Sequence, residues 1–306
     1  MNSNCTRRQF LKRSTLAAGT LALASKGLLP AQAQVAVKRT AVDEVTLGRT
    51  GIKLSRLGMG TGSNSGRIQT ALGQDGFTKL VHYAYDQGIR YFDCAQSYAT
   101  FGWIGQAIKG LPREKLFIQS KIGGQPADVL AAIDLHRKTF DTDYIDSLLV
   151  HCMVKKGWTD EWKRVMEGFD QAKEKKWIRA KGVSCHSLPA LRASIASDWT
   201  EVHLVRVNPQ GHRVDGMEEE MWPATDPGHD IAPVLVELKQ LGAKGRGVIG
   251  MKIIGDGTFV NADDREKSIR FAMARPELDA VVIGFKSNDE IDEAIKRMNA
   301  ALAAPA

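Results

Sequence analysis

The sequence predicts an α/β protein built as a single-domain (β/α)8 TIM barrel with an N-terminal hairpin plug. Eight short β-rich runs alternate with stretches whose apolar residues recur every three or four positions. The ends of successive runs fall about 30 residues apart, a spacing typical of parallel βαβ units. A doubly wound sheet usually has about five or six strands, so eight strands favour a closed barrel.

The elements follow one another in regular order along the chain. The predicted barrel strands are Leu54–Gly60, Ile89–Asp93, Lys115–Lys121, Tyr144–His151, Trp177–Ser184, Val202–Asn208, Gly247–Ile253 and Ala280–Phe285. The predicted helices are Gly76–Gln87, Ala127–Phe140, Glu161–Lys175, Pro189–Ala196, Ile231–Leu241, Asn261–Ala274 and Asn288–Leu302. In the first helix, Phe77, Leu80 and Ala84 form the apolar face expected of a helix that packs on a sheet.

Two segments depart from the barrel repeat. Val45–Gly48 and Ile52–Ser55 flank the turn Arg49–Gly51, which predicts a hairpin that closes the N-terminal end of the barrel. Residues 209 to 230, between the sixth and seventh strands, are rich in Gly, Pro and charge and predict an extended loop over the C-terminal mouth. The candidates to line a substrate pocket are Trp103 and, in this loop, His212, Asp215, Met217 and Trp222.

The first 33 residues have the layout of an export signal. Thr6–Lys12 contains the pair Arg7-Arg8, a short apolar stretch follows, and Ala31-Gln32-Ala33 is a small-residue cleavage site. The arginine pair resembles the twin-arginine class, whose translocation machinery carries folded proteins. The apolar stretch is shorter than the roughly 20 residues of a membrane span, so stable membrane insertion is not expected. We predict cleavage after Ala33, a periplasmic or otherwise exported protein, a flexible leader over residues 34 to 44, and the barrel from residue 45 to 306.

Charge and cysteine content narrow the function classes. The chain has 42 basic and 35 acidic residues, but five basic residues and no acidic residue lie in the signal, so the remainder is nearly neutral. Nucleic acid is therefore not predicted as a partner. Cys94, Cys152 and Cys185 lack the spacing of metal ligands, so no metal site is predicted and we interpret them as small buried residues at strand ends. Cys152 and Cys185 are expected to lie near each other without an obligatory disulfide.

Four polar residues are predicted to cluster at the C-terminal ends of strands two to four, where barrels carry their chemistry. Asp93, Lys121 and His151 end these strands, and Tyr98 follows the second strand. A neighbouring lysine ammonium lowers the pKa of a tyrosine, which is ordinarily about 10. Asp93 would keep Lys121 charged, and His151 would orient a carbonyl oxygen or share in the proton relay. The four residues therefore predict a proton-donating group.

The segments that carry these residues resemble the aldo-keto reductase family. Gln87–Tyr98 is similar to the family segment GIxxfDtAxxYg, Leu47–Gly58 to its opening hairpin and first strand, and Asp143–His151 to DYIDLxLxH. The resemblance implies an NADP(H)-dependent oxidoreductase that reduces an aldehyde or ketone to an alcohol, or the reverse. It implies Tyr98 as the general acid and base, and the nicotinamide as the hydride carrier.

The resemblance also implies a cofactor site that departs from the family pattern. The implied contacts are Ser184, Cys185, Met251, Lys252, Gly284, Lys286, Ser287 and Glu290. Cys185 replaces an Asn that holds the nicotinamide amide, Met251 replaces a Tyr that stacks on the ring, and Lys252 takes a phosphate-contacting position. Lys286 replaces the Arg that binds the adenosine 2′-phosphate, and Glu290 adds a repelling charge there. NADP(H) is favoured, and NAD(H) stays open.

Two functions stay open from the sequence. The first is an exported oxidoreductase that recycles a tightly held cofactor, since reduced nicotinamide is not expected in quantity outside the cytoplasm. The second is a catalytically silent nicotinamide-binding sensor or structural protein on the same barrel. The complete set of Asp93, Tyr98, Lys121 and His151 favours the enzyme.

Overall fold

The computed structural model describes residues 39–220 and 228–304, and in these ranges eight parallel strands close into a barrel, as predicted. The two hairpin strands are β1 (Glu44–Thr46) and β2 (Lys53–Ser55). The barrel strands are β3 (Leu57–Gly60), β4 (Tyr91–Asp93), β5 (Phe117–Ile122), β6 (Ile145–Met153), β7 (Ile178–Cys185), β8 (Val202–Arg206), β9 (Gly247–Met251) and β10 (Ala280–Gly284). Consecutive strands are neighbours, and β10 pairs with β3 to close the barrel.

Helices surround the barrel. They are Arg67–Thr70, Gly73–Asp86, Phe101–Ala107, Val129–Thr139, Trp158–Glu161, Lys163–Glu174, Leu188–Ala196, Ala232–Ala243, Ala262–Met273 and Asn288–Ala303. Each predicted helix is present. Three further helices were not predicted: the short helices Arg67–Thr70 and Trp158–Glu161, and the helix Phe101–Ala107. Its glycines lower its helix propensity, but Gly105 is needed because a Cβ there would lie 2.0 Å from the carbonyl oxygen of Thr139.

Strand alternation divides the core into two layers. Tyr91, Phe117 and Leu204 belong to the cluster inside the barrel. Phe92 and Ile118, the next residues on β4 and β5, belong to the larger cluster between the barrel and the helices. Successive side chains of a strand point to opposite faces, so every second residue faces the barrel interior. A polar side chain reaches the interior only if it occupies one of these alternate positions.

The predicted hairpin plug is confirmed. β1 and β2 pair antiparallel with Val45 opposite Leu54, and Leu54 belongs to the cluster inside the barrel. The turn is fixed by Gly48 N, which donates to Asp279 Oδ2 at 3.0 Å. The predicted first barrel strand, Leu54–Gly60, is wrong at its start, because residues up to Ser55 pair within the hairpin and only Leu57 onward joins the barrel.

The leader differs from the prediction where the structure describes it. The export signal and its cleavage site lie outside the described residues. Ala41 is fully buried, its N–H donates to Asn299 Oδ1 at 2.7 Å, and its carbonyl accepts from Leu57 N at 2.8 Å. These hydrogen bonds show that the prediction of a flexible leader is wrong for residues 39 to 44. The sequence did not reveal them, because long-range hydrogen bonds have no local sequence signal.

No helix within the described ranges is long and apolar enough to cross a membrane.

The segment between β8 and the helix Ala232–Ala243 is irregular in its described parts, 207–220 and 228–231, as predicted for an extended loop. It is attached to the barrel by Asp215, whose Oδ1 accepts from Arg206 Nε at 2.5 Å. Both side chains are buried, so this ion pair fixes the loop at the C-terminal end of the barrel. Trp222 lies outside the described residues.

Candidate active site

The site begins with a buried ion pair between β4 and β5. Lys121 Nζ lies 2.6 and 2.7 Å from the two carboxylate oxygens of Asp93 and donates to Cys94 O at 2.8 Å. An ammonium group has three donors, and here three acceptors surround it. Gln119 Nε2 also donates to Asp93 Oδ1 at 2.9 Å. The charges of Lys121 and Asp93 are thus held in place in the barrel interior.

Tyr98 and His151 complete the cluster above this ion pair. The Tyr98 hydroxyl lies 3.5 Å from His151 Nε2, and the two rings meet edge to face at 5.5 Å between centroids. Lys121 Nζ lies 5.2 Å from the centroid of the Tyr98 ring. The structure therefore brings all four predicted residues together at the C-terminal ends of the strands.

Burial sets the protonation of these groups. Burial, followed by the negative charge of Asp93, raises the pKa of Tyr98 well above its ordinary value of 10. Burial and the charges of Lys121 and Lys252 lower the pKa of His151 to about 3, so the imidazole is neutral near pH 7. The prediction that Lys121 lowers the pKa of Tyr98 is wrong in this structure, because burial of the phenol is the largest influence on this pKa and raises it.

A cleft of about 750 Å³ runs from Asp93 and Tyr98 along the ends of β9 and β10 to the helix Asn288–Ala303. Five of the residues predicted to contact a cofactor line it: Met251, Lys252, Gly284, Lys286 and Glu290. Leu204, on β8, lines the same cleft. The cleft therefore joins the Tyr98 cluster to most of the predicted cofactor residues.

The other three predicted cofactor residues lie elsewhere. Ser184 is opposite Leu204 in the strand register and is buried, and its Oγ has no hydrogen-bond partner among the described residues. Cys185 as a cofactor contact is wrong, because it is the next residue on β7 and its Sγ lies 3.8 Å from Ser194 Oγ on the helix side. Ser287 caps the helix Asn288–Ala303 by accepting from Glu290 N at 3.4 Å.

The three cysteines among the described residues, Cys94, Cys152 and Cys185, are free thiols and are buried, as we interpreted them. Cys152 Sγ lies 3.5 Å from His186 Nε2, and burial raises the pKa of this thiol to about 11. Cys185 pairs in register with Met153, the residue after Cys152, across an irregularity in β6. The two cysteines are thus close in register but point to different neighbours.

Several site residues were missed at the sequence level. Gln119 precedes Lys121 by two positions, so the alternation of β5 places both on the inner face and was a usable signal. Asp256, Arg265 and Arg297 also line the cleft. They lie beyond the strand ends and on two outer helices, where no local pattern distinguishes a cleft residue from a surface residue.

The residues predicted to line a substrate pocket lie in different surroundings in the structure. Asp215 turns inward to Arg206, and the Trp103 ring packs edge to face on Phe77 at 6.2 Å. Met217 is largely exposed. His212 lies 6.4 Å from the ring of Phe259, which lines the cleft. Of the described candidates, His212 is thus the one next to a cleft-lining side chain.

The chain belongs to the aldo/keto reductase family, whose model matches residues 56–304. It is similar to the 9,11-endoperoxide prostaglandin H2 reductase of Trypanosoma cruzi, with 30% identity over 138 residues that cover 44% of this chain and 45% of that protein. The matched segment thus spans less than half the length of this curated relative.

Two solved structures share the fold along most of the chain. An aldo-keto reductase from Pseudomonas aeruginosa has a TM-score of 0.68 and 20% identity, covering 88% of this chain and 99% of that one. An aldo-keto reductase from Klebsiella pneumoniae, in complex with NADPH, has a TM-score of 0.63 and 16% identity, covering 86% and 90%. At these identities the likeness is one of fold.

Proposed function

We propose that this protein is an NADP(H)-dependent oxidoreductase that reduces an aldehyde or ketone to an alcohol, or catalyses the reverse. The observation that carries the proposal is the Tyr98 hydroxyl beside His151 Nε2, above the buried Lys121–Asp93 pair, at one end of the cleft. Family membership supports it. The related fold in complex with NADPH supports the choice of cofactor.

Each residue of the cluster has a distinct role in this reaction. Tyr98 carries a proton that burial keeps on the phenol, and it donates this proton to the carbonyl oxygen. His151, neutral at pH 7, has a ring nitrogen available to hydrogen bond the same oxygen and orient it. Lys121, held by Asp93, places a fixed positive charge beneath the Tyr98 ring, which stabilises negative charge that develops on oxygen.

The cleft, together with the neighbouring Ser184, fits a nicotinamide dinucleotide. Ser184 does not line the cleft, but it lies opposite the cleft-lining Leu204 and offers a buried hydroxyl that lacks a protein partner among the described residues, which suits a carboxamide. Met251 offers a polarisable thioether for an aromatic face, and Lys252 and Lys286 offer cations for phosphate groups. A bound nicotinamide would supply or accept the hydride, and the protein residues would handle the proton.

The proposal is tested with the purified protein, NADPH and a panel of aldehydes and ketones. If the absorbance of NADPH falls only when a carbonyl compound is present, the result supports the proposed enzymatic function. A nucleotide that binds but stays unoxidised with every compound supports the silent sensor or structural protein instead. Repeating the panel with NADP⁺ and alcohols covers the reverse direction.

We further propose export by the twin-arginine route, on the strength of Arg7-Arg8, the apolar stretch and Ala31-Gln32-Ala33. Replacing Arg7 and Arg8 with lysine is expected to leave active protein in the cytoplasm, because the translocation machinery reads the arginine pair. Cell fractionation measures this, with Arg13→Lys as a control outside the pair. Unchanged periplasmic protein in the double variant would argue against this route.

Gly62 allows the close approach of Tyr98. A Cβ at residue 62 would lie 2.3 and 2.4 Å from ring carbons of Tyr98, so Gly62→Ala must displace the phenol. A displacement of about 1 Å costs roughly 10²-fold in rate, so kcat is expected to fall by about that factor while nucleotide affinity changes little. Gly102→Ala is the matched control, since its Cβ meets no atom within 4 Å. Equal kcat values for the two variants would contradict this role of Gly62.

Lys286 is expected to discriminate between the two nucleotides. It lines the cleft with its Nζ 3.8 Å from Glu290 Oε1, and only NADP(H) carries the 2′-phosphate that it would bind. Lys286→Ala should weaken NADPH binding by roughly tenfold, the size of a charge-assisted contact, and leave NADH binding nearly unchanged. Calorimetric titration of both nucleotides measures this, and an equal loss for both would assign Lys286 to a shared part of the cofactor.

A further inference from the structure

Lys252 and Asp256 form an ion pair inside the cleft. Lys252 Nζ lies 2.7 Å from Asp256 Oδ1, and both residues line the cleft that also contains Tyr98. The side chains are 16% and 26% exposed, so solvent screens this pair only in part. Lys252 directly follows β9, and Asp256 lies in the next 3-10 turn, Gly255–Gly257.

The backbone that presents this pair is unusual. Lys252 has φ +59° and Asp256 has φ +58°, a left-handed conformation that residues other than glycine rarely adopt. The Lys252 carbonyl is held by Asn208 Nδ2 at 3.1 Å and by Gly255 N at 2.9 Å. Such conformations persist where the surrounding structure fixes them, and they cluster at ligand sites. The ammonium is thus placed in the cleft by the fold of the turn.

Both charges act on the catalytic cluster. The positive charge of Lys252 contributes to the low pKa of His151, and the negative charge of Asp256 contributes to the high pKa of Tyr98. An anionic ligand in the cleft would therefore meet an attractive and a repulsive charge at the same place. Because Asp256 already occupies one side of the ammonium, the anion and the carboxylate compete for the same donors.

The same arrangement recurs along the cleft with weaker geometry. Lys286 Nζ lies 3.8 Å from Glu290 Oε1, four residues away, but its side chain is 64% exposed. The Lys252 pair is shorter and less exposed, so competition there has the larger effect on binding.

We propose that Asp256 is a built-in competitor for the pyrophosphate of the nicotinamide dinucleotide at the Lys252 ammonium. Lys252 exchanges the carboxylate for the phosphate when the cofactor binds, and Asp256 thereby lowers the cofactor affinity. The inference rests on the proposed cofactor and adds to it a residue that sets how tightly this cofactor is held.

Three substitutions at the two positions isolate the pair without changing the turn. Asp256→Asn removes the carboxylate and suits a left-handed residue, since Asn adopts this conformation more readily than most side chains. Lys252→Gln removes the ammonium and keeps a long polar side chain. Asp256→Gly is a second removal of the carboxylate, because glycine adopts φ +58° without strain. Asp134→Asn, on an outer helix, is the control for the loss of one negative charge.

The experiment is calorimetric titration of the full chain with NADPH. Asp256→Asn and Asp256→Gly are expected to tighten binding by roughly threefold to tenfold, the effect of removing one partly screened competing charge. Lys252→Gln should weaken binding by about tenfold or more. In the Lys252→Gln background, Asp256→Asn should tighten binding by clearly less than it does in the unaltered protein, because no ammonium remains for the carboxylate to occupy. Asp134→Asn should bind as the unaltered protein does.

The outcomes separate this inference from the proposed function. Failure of the unaltered protein to bind NADPH or NADH overturns the proposed function. Binding by the unaltered protein that neither Asp256 variant tightens overturns the competitor and leaves the function standing. Tightening of equal size in the Lys252→Gln background shows that Asp256 acts by repulsion alone, and this overturns the exchange at Lys252.

Discussion

Replacing Tyr98 with phenylalanine is expected to reduce carbonyl reduction by about 10²–10⁴-fold, the usual cost of losing a positioned general acid. Nucleotide affinity should change little, because Tyr98→Phe keeps the ring and its edge-to-face contact with His151 and removes only the hydroxyl. His151 does not replace it as an acid, because its pKa of about 3 leaves it without a second proton at pH 7. Lys121 does not replace it either, because its three donors are held by Asp93 and the Cys94 carbonyl.

The measurement is kcat with NADPH alongside the dissociation constant of the nucleotide. Because burial keeps the Tyr98 pKa well above 10, the acid form persists as pH rises, and the rate should not decline between about pH 6 and 9. Wild-type turnover in Tyr98→Phe would exclude this mechanism. Loss of nucleotide binding together with turnover would instead indicate that the phenol contributes to holding the cofactor.

The sequence predicts the barrel well because its signal is periodic. Eight β-rich runs and their intervening helices are visible without knowledge of long-range contacts. The errors fall where such contacts decide the structure. The hairpin ends at Ser55, which pairs with Glu44. Ala41 is held by hydrogen bonds with Asn299, in the last helix, and with Leu57.

The site, like the fold, was predictable from the sequence only in part. Asp93, Lys121 and His151 were predictable because parallel topology brings strand ends together. The pKa of Tyr98 was not, since it depends on how deeply the finished packing buries the phenol. The family resemblance implied that the consecutive residues Ser184 and Cys185 both contact the cofactor. Because side chains alternate along a strand, Ser184 faces the barrel interior and Cys185 faces the helices, so the prediction for Cys185 was wrong.

The buried Lys121–Asp93 ion pair is expected to contribute both to the stability of the fold and to turnover. Asp93 is 5% exposed, and Lys121→Met would leave its carboxylate with Gln119 Nε2 as the remaining polar side-chain partner among the described residues. Removing one partner of a buried ion pair typically costs about 3–5 kcal/mol, so the free energy of unfolding should fall by about this much. Turnover should also fall, because the fixed charge beneath Tyr98 is lost.

Denaturant unfolding of Lys121→Met measures the loss, with Lys138→Met as the control for an exposed lysine paired to Asp134. The double variant Asp93→Asn/Lys121→Met separates the two effects. It removes the uncompensated carboxylate, so stability should return toward that of the unaltered protein while turnover stays low. If the free energy of unfolding is unchanged in Lys121→Met, the Asp93 carboxylate is neutralised in another way. If turnover returns with stability, the lysine supports the fold rather than the charge that develops in the reaction.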